Sequence, residues 1–350
     1  MIMNTKKIIT RLSVAVAMSV STSAVFAQDI HFTQFDMAPL VVNPAFTGMF
    51  DGTARVGGIY RSQWGSVTVP YVTYGAHADM PLYADQSGGY LAAGVQVFND
   101  KAGDGNLSNF TGLVSVAYHK TVGRNAELAV GMQGGYAQKS IDLSKLYFGD
   151  ESYNGTFVQG TSSEYGLGIG NQVSYYLVNA GVSLAGANDE RTFSYIIGAG
   201  ANNINQPNDA LLKKQTSAVG LDMRYTGQLG LAIMSNARFA LRPALLFQSQ
   251  ASATEIIGGN EFMYYVGNEP GYNNFSTAVF LGGWYRTGDA VMITGGLEFK
   301  GFRIGLGYDY NISSLNSASN GNGGFEIAVR YIAPYPLKFA AKRVVPCTRF

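Results

Sequence analysis

From Phe302 to Ile312 apolar and polar positions alternate without a break. Phe302, Ile304, Leu306, Tyr308, Tyr310 and Ile312 fall on one face; Arg303, Gly305, Gly307, Asp309 and Asn311 fall on the other. A period of two is the signature of a strand. Eleven residues exceed the usual soluble strand of about five or six and match the ~9–11 that a tilted strand needs to cross a bilayer. The same alternation recurs at Phe325–Tyr331, Val291–Lys300, Leu91–Val97, Val72–Asp79 and Phe239–Gln248. It predicts strands at 53–64, 68–80, 89–99, 108–119, 126–138, 172–184, 193–201, 216–226, 238–249, 254–266, 275–286, 290–300, 302–313 and 324–333. Pro243 falls on an apolar face, and without an N–H to give the ladder it predicts a bulge or local distortion.

Turn signals such as Gly123-Arg124-Asn125, Thr287-Gly288-Asp289 and Lys300-Gly301 separate these runs, whereas the stretch from Ser140 to Ser163 is long. Short turns at one end and long loops at the other are the habit of membrane barrels, as is an even strand number. One face in lipid leaves unpaired edge groups no water to turn to, so the sheet must close on itself. The expected fold is therefore all-β, a transmembrane antiparallel β-barrel of about fourteen strands over residues 53–333. Its lumen is wider than wall side chains alone fill. Residues 28–52 neither alternate nor carry the charge of a free tail; Phe32, Phe35, Pro39, Leu40, Pro44 and Phe46 make them a candidate plug or periplasmic segment.

The first residues set the compartment. Lys6, Lys7 and Arg11 precede the apolar Leu12–Val20, and Val25-Phe26-Ala27 places small residues where a signal peptidase reads them. Residues 1–27 are expected to be a signal peptide, with Gln28 the first mature residue, and the destination is the outer membrane. Composition fits: 13% of residues are charged, aromatics make up 13%, glycine numbers 44, and mean hydropathy is only +0.04. No later run approaches the 18 or so apolar residues of a membrane helix.

Charge and cysteine remove other classes. A net charge of +1 with no basic stripe argues against nucleic acid as a partner. The single Cys347 forbids an intrachain disulfide framework or a cysteine zinc site. His31, His77 and His119 sit at no ligand spacing, and no Gly-x-Ser-x-Gly elbow occurs. Asp100, Asp104 and Asn106 lack the bidentate glutamate of a calcium loop and read as a polar turn. No catalytic, cofactor-binding or metal residue is expected, and no enzyme. Inward charges such as Arg303, Asp309, Glu326 and Arg330 either pair with one another or a plug, or line a path. Residues 334–350 form a basic tail with Lys338, Lys342, Arg343 and Arg349, expected in the periplasm with the N-terminal end of the barrel.

Several stretches resemble one family, in order along the chain. Asn43-Pro44-Ala45-Phe46-Thr47-Gly48, Tyr60-Arg61-Ser62-Gln63-Trp64, Ile204–Asp209, Arg242-Pro243, Trp284-Tyr285-Arg286, Gly307–Ser313 and the ending Pro346-Cys347-x-Arg349-Phe350 are similar to motifs of the PorP/SprF outer-membrane proteins of type IX secretion and gliding. The resemblance implies a barrel akin to long-chain fatty-acid channels. It also implies work with periplasmic ring and peptidoglycan-binding components in exporting or anchoring secreted surface proteins. Phe32, Phe35, Asn43, Pro44, Arg61, Trp64, Arg349 and Phe350 are the candidate partner or plug residues. The competing expectation is a passive or gated channel for hydrophobic or small solutes.

Overall fold

The computed structural model describes residues 31–84, 88–146, 148–153, 156–163, 165, 170–211, 220–236, 238–266 and 277–335. Fourteen strands close a single antiparallel barrel: β1 (Ala54–Gln63), β2 (Tyr71–Ala84), β3 (Gly89–Ala102), β4 (Leu107–Val122), β5 (Ala126–Ser140), β8 (Gln172–Ala187), β9 (Phe193–Asn202), β10 (Arg224–Met234), β11 (Phe239–Gln250), β12 (Ala253–Val266), β13 (Thr277–Arg286), β14 (Ala290–Phe299), β15 (Phe302–Asn311) and β16 (Asn322–Ala333). A two-residue hairpin, β6 (Ser152–Tyr153) with β7 (Thr156–Phe157), stands outside the wall. Closure comes from β1 against β16, in register from Ala54↔Ala333 to Gln63↔Gly324. No wall edge is left for lipid to strand.

One expectation needs correction. The strand placed at 216–226 lies instead at Arg224–Met234. Its residues Thr226, Gln228 and Gly230 turn inward against Tyr225, Leu229 and Ile233 outward, while Leu221 is drawn into the preceding connection by its N–H to Pro207 O at 2.7 Å. At Pro243 the expected irregularity is a local gap in the ladder and not a bulge. Its pairing to Asn260 is regular on the β12 side. Towards β10 the ladder lapses between Gly230↔Ala244 and Ile233↔Leu241 and resumes in the same register. The missing proline N–H opens a gap without adding a residue. Register shifts occur elsewhere, at Pro81/Tyr83 and Asp309/Tyr310.

The two faces of the wall are chemically opposite. Along β15 every second residue is exposed and apolar, and the alternates Arg303, Gly305, Gly307, Asp309 and Asn311 are buried in the lumen. Exposed aromatics gather at two levels. Tyr83, Tyr118, Phe193, Phe239, Phe299 and Phe302 ring the end that carries both termini, and Tyr74, Phe110, Tyr136, Tyr176, Tyr225, Phe247 and Tyr285 ring the distal end. Such girdles mark the two interfaces of a membrane. From Phe302 to Tyr310 a tilted strand rises roughly 20 Å, close to the ~25 Å apolar band of known barrels. Connections at the terminal end include the tight 123–125 and 300–301, whereas the long 141–171 and 203–223 lie at the distal end.

Leu306, half exposed at the middle of the lipid face, offers a direct check. Leu306→Arg is expected to destabilise the barrel by about 2–4 kcal/mol, against near zero for the same change at a rim position. Urea-induced unfolding from lipid vesicles measures it. Equal effects at both depths would mean that this face does not meet hydrocarbon.

Residues 31–53 fill the lumen. They form three short turns: a 3-10 turn at Phe35–Met37, the helix α1 (Pro39–Val42) and a 3-10 turn at Pro44–Phe46. Pro39 presets the first position of α1, and Pro44, which lacks an N–H, keeps the helix from continuing. The segment runs the length of the barrel. His31 sits near the distal rim, 3.6 Å from Glu255 of β12, and Thr53 donates to Ala333 O at the terminal end (2.9 Å).

Candidate functional site

Near the distal end the segment is clamped by ions. Glu326 of β16 accepts the backbone N–H groups of Thr33 (2.7 Å) and Gln34 (3.0 Å). Arg61 of β1 bridges Glu326 and Asp309 of β15, reaching the latter at 2.8 Å. The Thr33 hydroxyl donates to Asp309 Oδ1 (2.6 Å) and accepts from Arg61 (2.9 Å) and Arg286 (3.3 Å). Arg286 also reaches Asp289 (2.8 Å) and Asp309 (3.3 Å). One plug residue is thus held by four wall strands.

Lower down, Arg303 gathers Glu298 (2.8 Å), Glu261 (2.5 Å) and Asp36 of the segment (3.3 Å), with its guanidinium 3.9 Å over the Phe280 ring. Arg330 donates to the Asp36 carbonyl (3.2 Å). The inward charges are therefore matched to each other and to the segment. Unpaired, any of them would carry a large desolvation cost.

Asn43 and Pro44 occupy a cradle of glycines. Asn43 Nδ2 donates to Val182 O (3.1 Å), Ala199 O (3.2 Å) and Gln228 Oε1 (3.0 Å), while its Oδ1 caps the next turn through Ala45 N–H (2.9 Å). A Cβ at Gly181 would stand 2.0 Å from Asn43 Oδ1, and one at Gly131 2.4 Å from the Pro44 carbonyl carbon. Backbone can approach only where no side chain stands. At the terminal end, Arg55 grips Asp79 in a two-pronged pair (2.9 and 2.8 Å) and donates to Phe46 O (2.9 Å). His119 bridges Glu127 (2.8 Å) and Thr47 O (2.7 Å) under a stacked Tyr90.

The sequence-derived site residues divide accordingly. Phe32 packs with Ile59 and Ala328, and Phe35 meets Trp284 edge-on at 5.4 Å. Asn43, Pro44 and Arg61 join the same lumenal assembly. Trp64 does not share these contacts. It follows β1 at the distal rim with φ of +54°, donates its N–H to Gly323 O (2.9 Å) and packs against Tyr71. Arg349 and Phe350 lie outside the described residues. Sequence reading missed Arg55, Asp79, His119, Glu127, Gln228 and Glu261. Each had the signal of a polar residue on the inward parity of a strand, which is where they are found.

Among the described residues, small crevices lie beside the segment. Crevices beside His31, above Val41 and beside Phe35 hold about 20, 40 and 30 Å³, room for one to three waters each on the scale of ~10–15 Å³ per water. Outside the wall, a hydrogen bond from the Ser162 side chain, aided by Ser163, holds the Asp150 carboxyl below its usual range, and the Ser144 hydroxyl does the same for Asp142. Both carboxylates are occupied within their own loop.

Over residues 24–331 the sequence matches the family described as type IX secretion system membrane protein PorP/SprF. The chain belongs to the PorP/SprF family. The match takes in the lumenal segment and the wall up to β16, and stops short of residues 334–350. No curated protein matches the sequence. Solved structures similar to this PorP/SprF chain include the CymD monoaromatic hydrocarbon channel (TM-score 0.48, 11% identity, 85% of this chain and 93% of that one). The Ralstonia pickettii toluene transporter TbuX is also similar (TM-score 0.46, 12% identity, 85% and 94%). At these values the likeness is one of barrel shape. The strand pairing itself defines this family member as a closed membrane barrel with an occupied lumen.

Proposed function

We propose that this PorP/SprF protein is a non-enzymatic outer-membrane component of the type IX secretion machinery, supporting export or anchoring of surface proteins. Residues 1–27 serve as the export signal, residues 28–52 as the plug, and residues 334–350, of which 336–350 lie outside the described residues, as a basic periplasmic tail. The observation that carries this reading is the family match over nearly the whole chain together with a lumen occupied from rim to rim. An even strand number puts both ends of the barrel on one side, the periplasmic side in this reading. There the tight turns and the tail face periplasmic ring and peptidoglycan-binding partners. The rival, a passive solute channel, needs a continuous path, and residues 31–53 stand in the lumen, bonded to the wall at Thr33, Asn43 and Phe46.

Deleting the protein from its host is expected to abolish appearance of surface proteins carried by the type IX route, and the full chain should restore them. A chain truncated after Ala333, which keeps β16 whole, should still fold but lose capture of periplasmic partners from detergent extracts. Intact secretion in the deletion strain would overturn the role. Unchanged capture by the truncated chain would leave the role standing and move the contact to the turns.

A further inference from the structure

Between the two aromatic girdles the outward face of the wall is apolar, with one departure. On β12 the inward parity belongs to Glu255, Ile257, Glu261, Met263 and Tyr265, so Asn260 points to lipid with Thr254, Phe262 and Val266. It stands two residues from the Tyr285 row, where Gly258 pairs with Tyr285, and four from the row that pairs Tyr264 with Phe239. That level is within the apolar band. Among the described residues, no other outward position between the girdles bears an amide, a charge or an aliphatic hydroxyl. Asn260 Oδ1 is buried without a hydrogen-bond partner.

A polar side chain on the lipid face is costly, because hydrocarbon holds no water to satisfy it. Long lysine and arginine stems snorkel to the interface; the one-carbon stem of asparagine does not reach. For the wall alone, leucine would serve better. The surroundings leave room for a close approach. Asn260 pairs with Pro243 on one side and with Gly283 on the other. A Cβ at Gly283 would meet nothing within 4 Å, so the amide stands at the edge of a shallow notch. The exposed Phe262, Leu281, Tyr285 and Ile293 frame it. In lipid, close packing at small residues and hydrogen bonds between polar ones drive association. The occupant must lie in the membrane and offer both a donor and an acceptor. Acyl chains offer neither, and the ester carbonyls of a phospholipid only accept. A carboxamide offers both. Two copies of Asn260 across a two-fold axis exchange two N–H···O bonds, and such isologous contacts are the commonest in homo-oligomers.

We propose that the notch at Asn260 and Gly283 is the contact through which two copies of this barrel pair side by side in the membrane. The inference needs the membrane wall and not the secretion role. Full-length mature protein is labelled with donor or acceptor dye at Cys347, its one cysteine, and mixed in phospholipid vesicles. Energy transfer that rises with protein density in the bilayer and saturates at two copies is expected. Asn260→Leu should weaken pairing by roughly tenfold, the scale of two amide bonds in a membrane. Gly283→Leu, which fills the notch and keeps the amide, should weaken it at least as much. Both variants turn leucine to lipid, so their urea midpoints should be no lower than wild type. A wild type that stays monomeric at every density would overturn the proposal. So would pairing that persists in either variant. Lipid retained by wild type and lost from Asn260→Leu, without energy transfer, would give the notch to a lipid and equally overturn it. Should Gly283→Leu fail to fold, Asn260→Leu decides alone.

Discussion

Arg61→Met should lower the stability of the barrel by about 3–5 kcal/mol, the range for removing one partner of a buried ion pair. The side chain is 1% exposed and faces Asp309 and Glu326, which are equally hidden from water. Methionine fills the volume, so the loss is electrostatic. Glu326 would keep the N–H groups of Thr33 and Gln34 but lose its guanidinium, and Asp309 would keep only Arg286 at 3.3 Å, which it shares with Asp289. Arg61→Lys should fall between, since an ammonium retains the charge but cannot reach two carboxylates and the Thr33 hydroxyl at once. Combining Arg61→Met with Asp309→Asn and Glu326→Gln should recover much of the loss by removing the unbalanced charges. Unfolding midpoints in urea, read by Trp284 fluorescence, give the numbers. An effect below about 1 kcal/mol, typical of exposed pairs, would mean that water screens this cluster and the clamp does not hold the plug.

Much of the wall was legible because lipid enforces a strict rule on it. On β15 the parity of each residue in the sequence is its parity in the barrel, down to the buried Arg303 and Asp309. The rule weakens where small residues dilute it. In β10, Gly227 and Gly230 blur the alternation, and the strand was placed eight residues too early at its start. At Pro243 the sequence points to a bulge or a local distortion, and the structure has the latter: a lost N–H removes a ladder bond but does not by itself add a residue. The plug was legible only as a segment that fitted nothing else. Its partners were not, because Thr33 meets Glu326 and Asp309 across 293 and 276 residues of chain, and only closure of β1 on β16 brings them together. Arg61 was singled out as part of a motif, but its carboxylate partners stand on strands whose order around the barrel no local pattern specifies.

Gly131→Ala combined with Gly181→Ala should loosen the plug without unfolding the wall, and planar-bilayer recordings should change from a closed to an open or flickering trace. The argument is steric. At Gly131 the obstructing atoms are the Pro44 carbonyl and the Ala45 nitrogen, about one bond length too near to yield as a side chain would; the nearest is 2.4 Å away. At Gly181 the obstruction is the Asn43 amide itself, at 2.0 Å. Either methyl pushes the Asn43-Pro44 turn off β5 and β8. Losing the three bonds that Asn43 Nδ2 makes to the wall costs about 2–4 kcal/mol at ~0.5–1.5 kcal/mol each. Gly134 on the same strand faces lipid, and the nearest atom to its added Cβ is 3.7 Å away, so Gly134→Ala should leave the trace unchanged. The comparison separates a displaced plug from a weakened barrel, since Gly134→Ala also adds a methyl to β5 but only the inward methyls at Gly131 and Gly181 meet the segment. If the double variant stays as electrically silent as wild type while Gly134→Ala behaves the same, closure does not depend on residues 43–45. The lumenal segment would then be a structural core of the barrel and not its gate.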